Sequence, residues 1–123
     1  MKSATAIATA VFALAAAGAA GAAGPCFRTN DMRNHTILDD HTLYTKVGNQ
    51  DVWRLTVKGN CLTGALPSDP LVVKTTASLG MVCKPLDLDL SVKRGGVPAA
   101  CIVDSIAKLT PQEIAAIPKG KKP

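Results

Sequence analysis

Two stretches of the chain alternate between apolar and polar positions with the period of two that is typical of β-strands. Between residues 51 and 58, Trp53, Leu55 and Val57 fall on one face and polar side chains fall on the other. Leucine or valine recurs at positions 86, 88, 90 and 92. Further strands are predicted from residues 37 to 47, 71 to 76, 81 to 84 and 100 to 107.

The first two of these strands in chain order form a predicted β-hairpin, because Gly48-Asn49 separates residues 37–47 from 51–58. Near the C-terminus, Thr110-Pro111-Gln112-Glu113 has the residues of a helix-capping box. It predicts a short helix over residues 111–116, whose Ile114 and Ile117 must pack on the sheet. The fold class predicted is mainly β: a small single-domain barrel or sandwich of about five to six strands, stapled by disulfides, with a short C-terminal helix.

The N-terminal residues have the pattern of an export signal. Lys2 precedes an uncharged stretch from residue 4 to 17, and Ala20-Gly21-Ala22 fits the small-x-small rule for signal peptidase. The sequence therefore predicts a signal peptide over residues 1–22 and a single exported domain over 23–118, in the periplasm or the medium of a bacterium. A membrane anchor is less favoured because alanine and glycine contribute little transfer energy. A lipoprotein is less favoured because Pro25 precedes Cys26.

The net charge of the predicted domain is smaller than that of the whole chain. The 123 residues carry a formal net charge of +5, with 47% hydrophobic and 3% aromatic residues. Between residues 23 and 118, however, there are 10 basic and 9 acidic side chains, since Lys2 and three lysines of the tail lie outside this range. This balance excludes a broadly basic surface for nucleic acid. Residues 119–123 are predicted to form a basic, disordered tail.

All four cysteines lie after the predicted signal. Four cysteines in a small exported domain predict two disulfides. The sequence has no Cys-x-x-Cys motif, which would have favoured redox or zinc chemistry. Three pairings are possible. We favour Cys26–Cys61 with Cys83–Cys101, since neighbouring strands could bring these residues together.

Histidine and aspartate suggest one candidate metal site, formed by His35, Asp39 and His41. Their spacing is not diagnostic of metal binding, so an exposed polar surface is the simpler interpretation and no cofactor is predicted. Asp87 and Asp89 would share one face of a strand, but paired carboxylates need further ligands or a perturbed pKa before they indicate catalysis.

No catalytic residue is predicted, because the sequence lacks the common nucleophile, phosphate-loop and zinc-protease motifs. Trp53 lies on the apolar face of its strand and is predicted to belong to the core. With so few aromatic residues, platforms for sugars or single-stranded nucleic acid are not expected.

The chain resembles a family of small exported proteobacterial proteins that is known only as a domain of unknown function. The resemblance covers nearly all of residues 26–117, and it is carried by Cys26-Phe27, Asp39-Asp40, Tyr44, Cys61-Leu62, Met81-Val82-Cys83, Cys101-Ile102, Ile106 and Leu109-Thr110. It implies export and one compact domain, and it transfers no activity and no catalytic residue.

These patterns favour a non-enzymatic exported module that binds a protein or another component of the cell envelope, without a stable membrane span after signal cleavage. Two alternatives remain open. The protein could inhibit an envelope hydrolase through a rigid loop such as residues 66–71, or it could bind metal through His35, Asp39 and His41.

Overall fold

The computed structural model describes residues 25–123, so the signal peptide predicted for residues 1–22 lies outside the described residues. Its main feature is a curled antiparallel sheet of six strands that forms half of a barrel. In chain order, its strands are β2 (Met32–Asp39), β3 (Thr42–Val47), β4 (Asp51–Lys58), β5 (Leu71–Thr75), β7 (Leu88–Arg94) and β8 (Val97–Lys108). Across the sheet they lie in the order β2-β3-β4-β8-β7-β5.

Two very short strands, β1 (Phe27–Arg28) and β6 (Met81–Val82), pair with each other in a separate small sheet. Three 3-10 turns connect the elements, at Thr29–Asp31, Ser78–Gly80 and Pro85–Asp87. The chain ends after helix α1 (Pro111–Ala116). The predicted mainly β class, a barrel-like sheet of about five to six strands and the short C-terminal helix are confirmed. The strand predicted at residues 81–84 instead belongs to the separate small sheet, as β6.

The hydrophobic core fills the inside of the curled sheet. The alternating residues Trp53, Leu55 and Val57 of β4 are all buried there, as their period-two pattern predicts. Leu90 and Val92 of β7 reach the same core. The apolar pattern therefore predicted the inner face of these two central strands.

A second, smaller cluster lies on the part of the sheet that helix α1 covers. Tyr44 and Val52 pack there with Ile117, and Ile114 packs against them partly buried. The Thr110 hydroxyl accepts a hydrogen bond from the Glu113 N–H at 3.2 Å, and the Glu113 carboxylate accepts one from the Thr110 N–H at 3.3 Å. Both the capping box and the packing of the two isoleucines are confirmed.

The first predicted strand, over residues 37–47, is wrong in its extent. A turn at Asp40-His41 divides it into the end of β2 and the whole of β3. The carboxylate of Asp39 accepts a hydrogen bond from the His41 N–H at 2.9 Å, which stabilises the turn locally. The hairpin with β4 therefore starts at Thr42, and the preceding residues form an edge strand of their own.

The disulfide pairing favoured from the sequence is also wrong. The bonds join Cys26 to Cys83 and Cys61 to Cys101. Strand β1 pairs with β6, which brings Cys26 beside Cys83, with 4.3 Å between their Cα atoms. Strand β8 pairs with both β4 and β7. Because its central residues therefore lie beside the end of β4, Cys101 meets Cys61 there, at 5.3 Å.

The basic tail makes a contact that the sequence does not predict. The ammonium of Lys121 donates to the carbonyl of Ile37 at 3.1 Å, and the Thr36 hydroxyl donates to the carbonyl of Lys121. Both partners belong to β2, one edge of the main sheet, so Lys121 lies against this edge strand.

Candidate functional site

The three candidate metal ligands are not brought together. His35 lies half-buried on β2, and its Nε2 donates to the backbone carbonyl of Asp69 at 3.1 Å. Asp39 uses its carboxylate for the turn, and His41 is exposed within that turn. Within residues 25–123, no group of three histidine, cysteine or acidic side chains is placed to hold a metal ion.

His35 instead connects the two outer regions of the curled sheet. Its own strand, β2, is one edge, and Asp69 precedes β5, the other edge. Burial lowers the pKa of the His35 imidazole below its ordinary value, and the hydrogen bond to Asp69 offsets part of this decrease. This places His35 in a structural contact, in which its Nε2–H group satisfies the Asp69 carbonyl.

Asp87 and Asp89 do not form a pair on one strand face. Asp87 lies in the 3-10 turn before β7, whereas Asp89 lies on β7 and is exposed. The Asp87 carboxylate accepts hydrogen bonds from the backbone N–H groups of Cys83, at 3.0 Å, and Lys84, at 3.1 Å. Its structural role is to fix the loop in front of β7.

The predicted inhibitory loop, residues 66–71, contains a tight turn. The Asp69 carboxylate accepts from the Leu66 N–H at 2.8 Å, and the Asp69 N–H donates to the Leu66 carbonyl at 2.9 Å. Leu66 is 59% exposed. The turn is ordered by its own hydrogen bonds, but it presents only one exposed large apolar side chain.

A more prominent feature is the connection between β5 and β7, residues 76–87, which we call the β5–β7 loop. It carries the two most exposed large hydrophobic side chains of the described chain: Leu79 is 85% exposed and Leu86 is 82% exposed. Exposed apolar surface can mark an interaction site, so this loop is a candidate docking segment. The sequence places Leu86 on an apolar strand face, but the structure places it in the 3-10 turn outside the sheet.

The β5–β7 loop is held at several points along its length. The disulfide Cys26–Cys83 anchors its middle, and β6 pairs there with β1. At its start, the Ala77 N–H donates to the Thr75 hydroxyl at 3.1 Å. At its end, the Thr76 N–H donates to the Asp87 carbonyl at 3.2 Å. The leucines are thus displayed from a framework with little freedom to collapse onto the core.

Leu79 has an unusual backbone conformation, with φ of 62°, in the left-handed region. It is the only residue other than glycine with a positive φ in the described part of the chain. A leucine in this region costs roughly 1–2 kcal/mol because its Cβ approaches the neighbouring carbonyl. Residues held in such conformations cluster at binding and active sites, so Leu79 is marked by both strain and exposure.

A cleft lies beside this loop, at the end of the half-barrel where the β1–β6 pair meets the main sheet. We call it the end cleft. Its volume is about 250 Å³. It is lined by Pro25, Cys26, Phe27, Arg28, Asp31, Val47, Gly48, Asp51, Trp53, Met81 and Lys108. Trp53 belongs to the core as predicted, with 2% of its surface exposed, and its ring packs on Phe27 with 4.7 Å between centroids.

The comparison with protein families identifies the chain at the level of its scaffold. A family model described as a family of unknown function, DUF6491, matches residues 1–122. The chain belongs to the DUF6491 family. Membership in DUF6491 agrees with the resemblance to a domain of unknown function, and it assigns no chemistry to either candidate site.

No curated protein and no solved structure matches the chain. Over residues 25–123, no helix is both long enough and apolar enough to cross a membrane. The two candidate sites, the β5–β7 loop and the end cleft, therefore have to be interpreted from their own geometry.

Proposed function

We propose that this protein is an exported, non-enzymatic binding module that docks a partner protein through the β5–β7 loop. The observation that carries the proposal is the exposure of Leu79 and Leu86 on a loop anchored by Cys26–Cys83. Burial of a leucine side chain on a partner contributes about 1.5–3 kcal/mol. Because the loop is already held in place, little ordering entropy opposes this gain.

Export is supported by the pattern of residues 1–22 and by the disulfides. Both disulfides join residues that follow the predicted signal, and the described residues contain no free cysteine. Disulfides of this kind persist in oxidising compartments such as the bacterial periplasm. Together these features favour the periplasm or the medium as the place where the partner is met.

The partner is a protein that offers an apolar cleft for two leucines. Lys84 and Pro85 lie between the leucines in the sequence, and Lys84 is exposed. A positive charge two residues before Leu86 favours a cleft whose rim carries carboxylates, since complementary charges promote encounter with the right partner. Inhibition of an envelope hydrolase is one form that such docking takes, and it adds loss of hydrolase activity to the expected readouts.

The experiment compares two pairs of leucine and valine substitutions. The tagged, exported double variant Leu79→Ser/Leu86→Ser is used to capture partners from envelope extracts beside the wild-type protein. The matched control is Leu66→Ser/Val97→Ser, which changes side chains that are 59% and 69% exposed elsewhere on the surface.

We expect the loop variant to bind the partner captured by the wild-type protein at least about tenfold more weakly. A loss of about 1.4 kcal/mol of binding free energy is enough for this change. The control retains the partner. Equal capture by all three proteins, or loss in the control alone, contradicts docking through the β5–β7 loop. Circular dichroism and thermal unfolding establish that both variants keep the fold.

A further inference from the structure

One of the residues that line the end cleft, Trp53, has a buried hydrogen-bond donor without a partner among the described residues. Trp53 lines the cleft, and its indole Nε1 makes no hydrogen bond to any residue from 25 to 123. Most buried polar atoms in proteins have a hydrogen-bond partner, so an unpaired one is unusual and can indicate a ligand. An acceptor oxygen that reached the indole nitrogen would satisfy this N–H.

Admitting such an oxygen requires a side chain in the wall of the cleft to move. The indole nitrogen itself exposes almost no surface, so an acceptor reaches it only when a neighbouring side chain moves. Arg28 and Met81 lie opposite each other in the β1–β6 pair, and both line the cleft. Their unbranched side chains change rotamer readily, whereas the sheet behind Trp53 is fixed by pairing on both sides of β4.

Four charged residues surround the cleft, two of each sign. Lys108 and Asp51 form an ion pair at 3.3 Å and so neutralise each other. Arg28 and Asp31 form no ion pair with any other described residue. Asp31 is held in position by its backbone carbonyl, which accepts from the Gly48 N–H at 2.9 Å.

This arrangement discriminates between classes of small ligand. A ligand with a single charge would be attracted by Arg28 or by Asp31 and repelled by the other. A zwitterion presents a carboxylate to the guanidinium and an ammonium to the carboxylate at once. A carboxylate also supplies the acceptor oxygen that the Trp53 indole lacks.

We propose that the end cleft binds a small zwitterion of amino-acid size. Arg28 and the Trp53 indole hold its carboxylate, and Asp31 holds its ammonium. A cleft of about 250 Å³ admits a single residue with a short side chain. Met81 of the β5–β7 loop lines the cleft, but the site differs from the docking surface formed by Leu79 and Leu86, because it takes a small molecule and uses charge rather than apolar contact.

The test uses the indole N–H of Trp53, which gives one NMR signal because the chain has one tryptophan. The exported protein is titrated with L-alanine, with N-acetyl-L-alanine, which is only an anion, and with L-alanine amide, which is only a cation. We expect L-alanine to shift the indole signal with saturation below about 10 mM, and each singly charged analogue to bind at least about tenfold more weakly.

Substitutions at the cleft test which groups bind the ligand. Arg28→Gln and Asp31→Asn should each weaken L-alanine binding by about tenfold or more. The matched controls, Arg33→Gln and Asp40→Asn, change exposed residues that do not line the cleft and should leave binding unchanged. The proposal is overturned if no ligand saturates, if a singly charged analogue binds as tightly as L-alanine, or if the cleft variants bind like the controls.

Discussion

Removal of the Cys61–Cys101 disulfide should destabilise the protein strongly. The bond joins positions that are 40 residues apart in the sequence, and both sulfur-bearing residues are buried in the core. In the chain-entropy model, a closed loop of this length restricts the unfolded chain by about 4 kcal/mol. The free energy of unfolding of a small domain is only about 5–15 kcal/mol, so the double variant Cys61→Ala/Cys101→Ala should be barely stable.

Urea unfolding followed by tryptophan fluorescence measures this loss. The single tryptophan is buried in the core beside Phe27, so its emission reports global unfolding. With a urea dependence of about 1.3 kcal/mol per molar, a loss of about 4 kcal/mol lowers the midpoint by about 3 M. A loss below about 1 kcal/mol would refute the argument from loop closure.

Thiol titration of the same variant tests the connectivity. With Cys26 bonded to Cys83, the unfolded but unreduced variant has no reactive thiol. The matched variant Cys26→Ala/Cys83→Ala should also have no reactive thiol, because Cys61 and Cys101 remain bonded. The Cys26–Cys83 bond that it lacks joins positions 57 residues apart, so we expect a similar loss of stability of about 4 kcal/mol. Two free thiols in either purified variant would contradict the pairing.

Further predictions concern pH, the helix cap and export. Because burial lowers the pKa of His35 in the folded state, the unfolded state binds the proton more tightly, and stability should fall as pH decreases below the ordinary value of 6.5. His35→Gln should abolish that part of the pH dependence in urea unfolding at pH 5 to 8, whereas His41→Gln should keep it. Thr110→Ala should lower the free energy of unfolding by about 1 kcal/mol, since the Glu113 N–H loses its acceptor; an unchanged midpoint would argue against the cap. Intact mass of the exported protein should show a chain beginning near Ala23, and a retained N-terminus or a lipid on Cys26 would disprove the proposed processing.

The inner face of the sheet could be predicted from the sequence because it depends on local alternation. Trp53 and Leu55 repeat every second residue, and burial of one face is the simplest consequence of that period. The capping box at Thr110 is likewise a local signal, since its two hydrogen bonds join residues three positions apart. Such features require no knowledge of distant partners.

The disulfide connectivity could not be predicted in this way because it depends on strand order. Strand β8 is 12 residues long and pairs with β7 in its first half and with β4 in its second. Nothing in its local sequence indicates that it bridges two strands so far apart along the chain. Cys101 therefore finds Cys61, at the end of β4, rather than the nearer Cys83.

The sequence does not predict the candidate binding loop, for a related reason. Leu86 continues the alternation of the leucines that follow it, so the pattern includes it in the strand. Pro85 and the Asp87 carboxylate instead form a 3-10 turn and direct it to solvent. Leu79 is not part of any alternating apolar pattern in the sequence. Its positive φ and its exposure become visible only in the structure.

Site-specific photocrosslinking tests the central proposal most directly. A photoreactive benzoylphenylalanine replaces Leu79 in the exported protein, and the matched probe replaces Leu66 in the turn on the other exposed loop. After irradiation of intact cells, we predict a discrete crosslinked adduct with one partner protein from position 79 and none from position 66. No adduct from position 79, or the same adduct from both positions, would contradict the proposal that the β5–β7 loop is a docking surface.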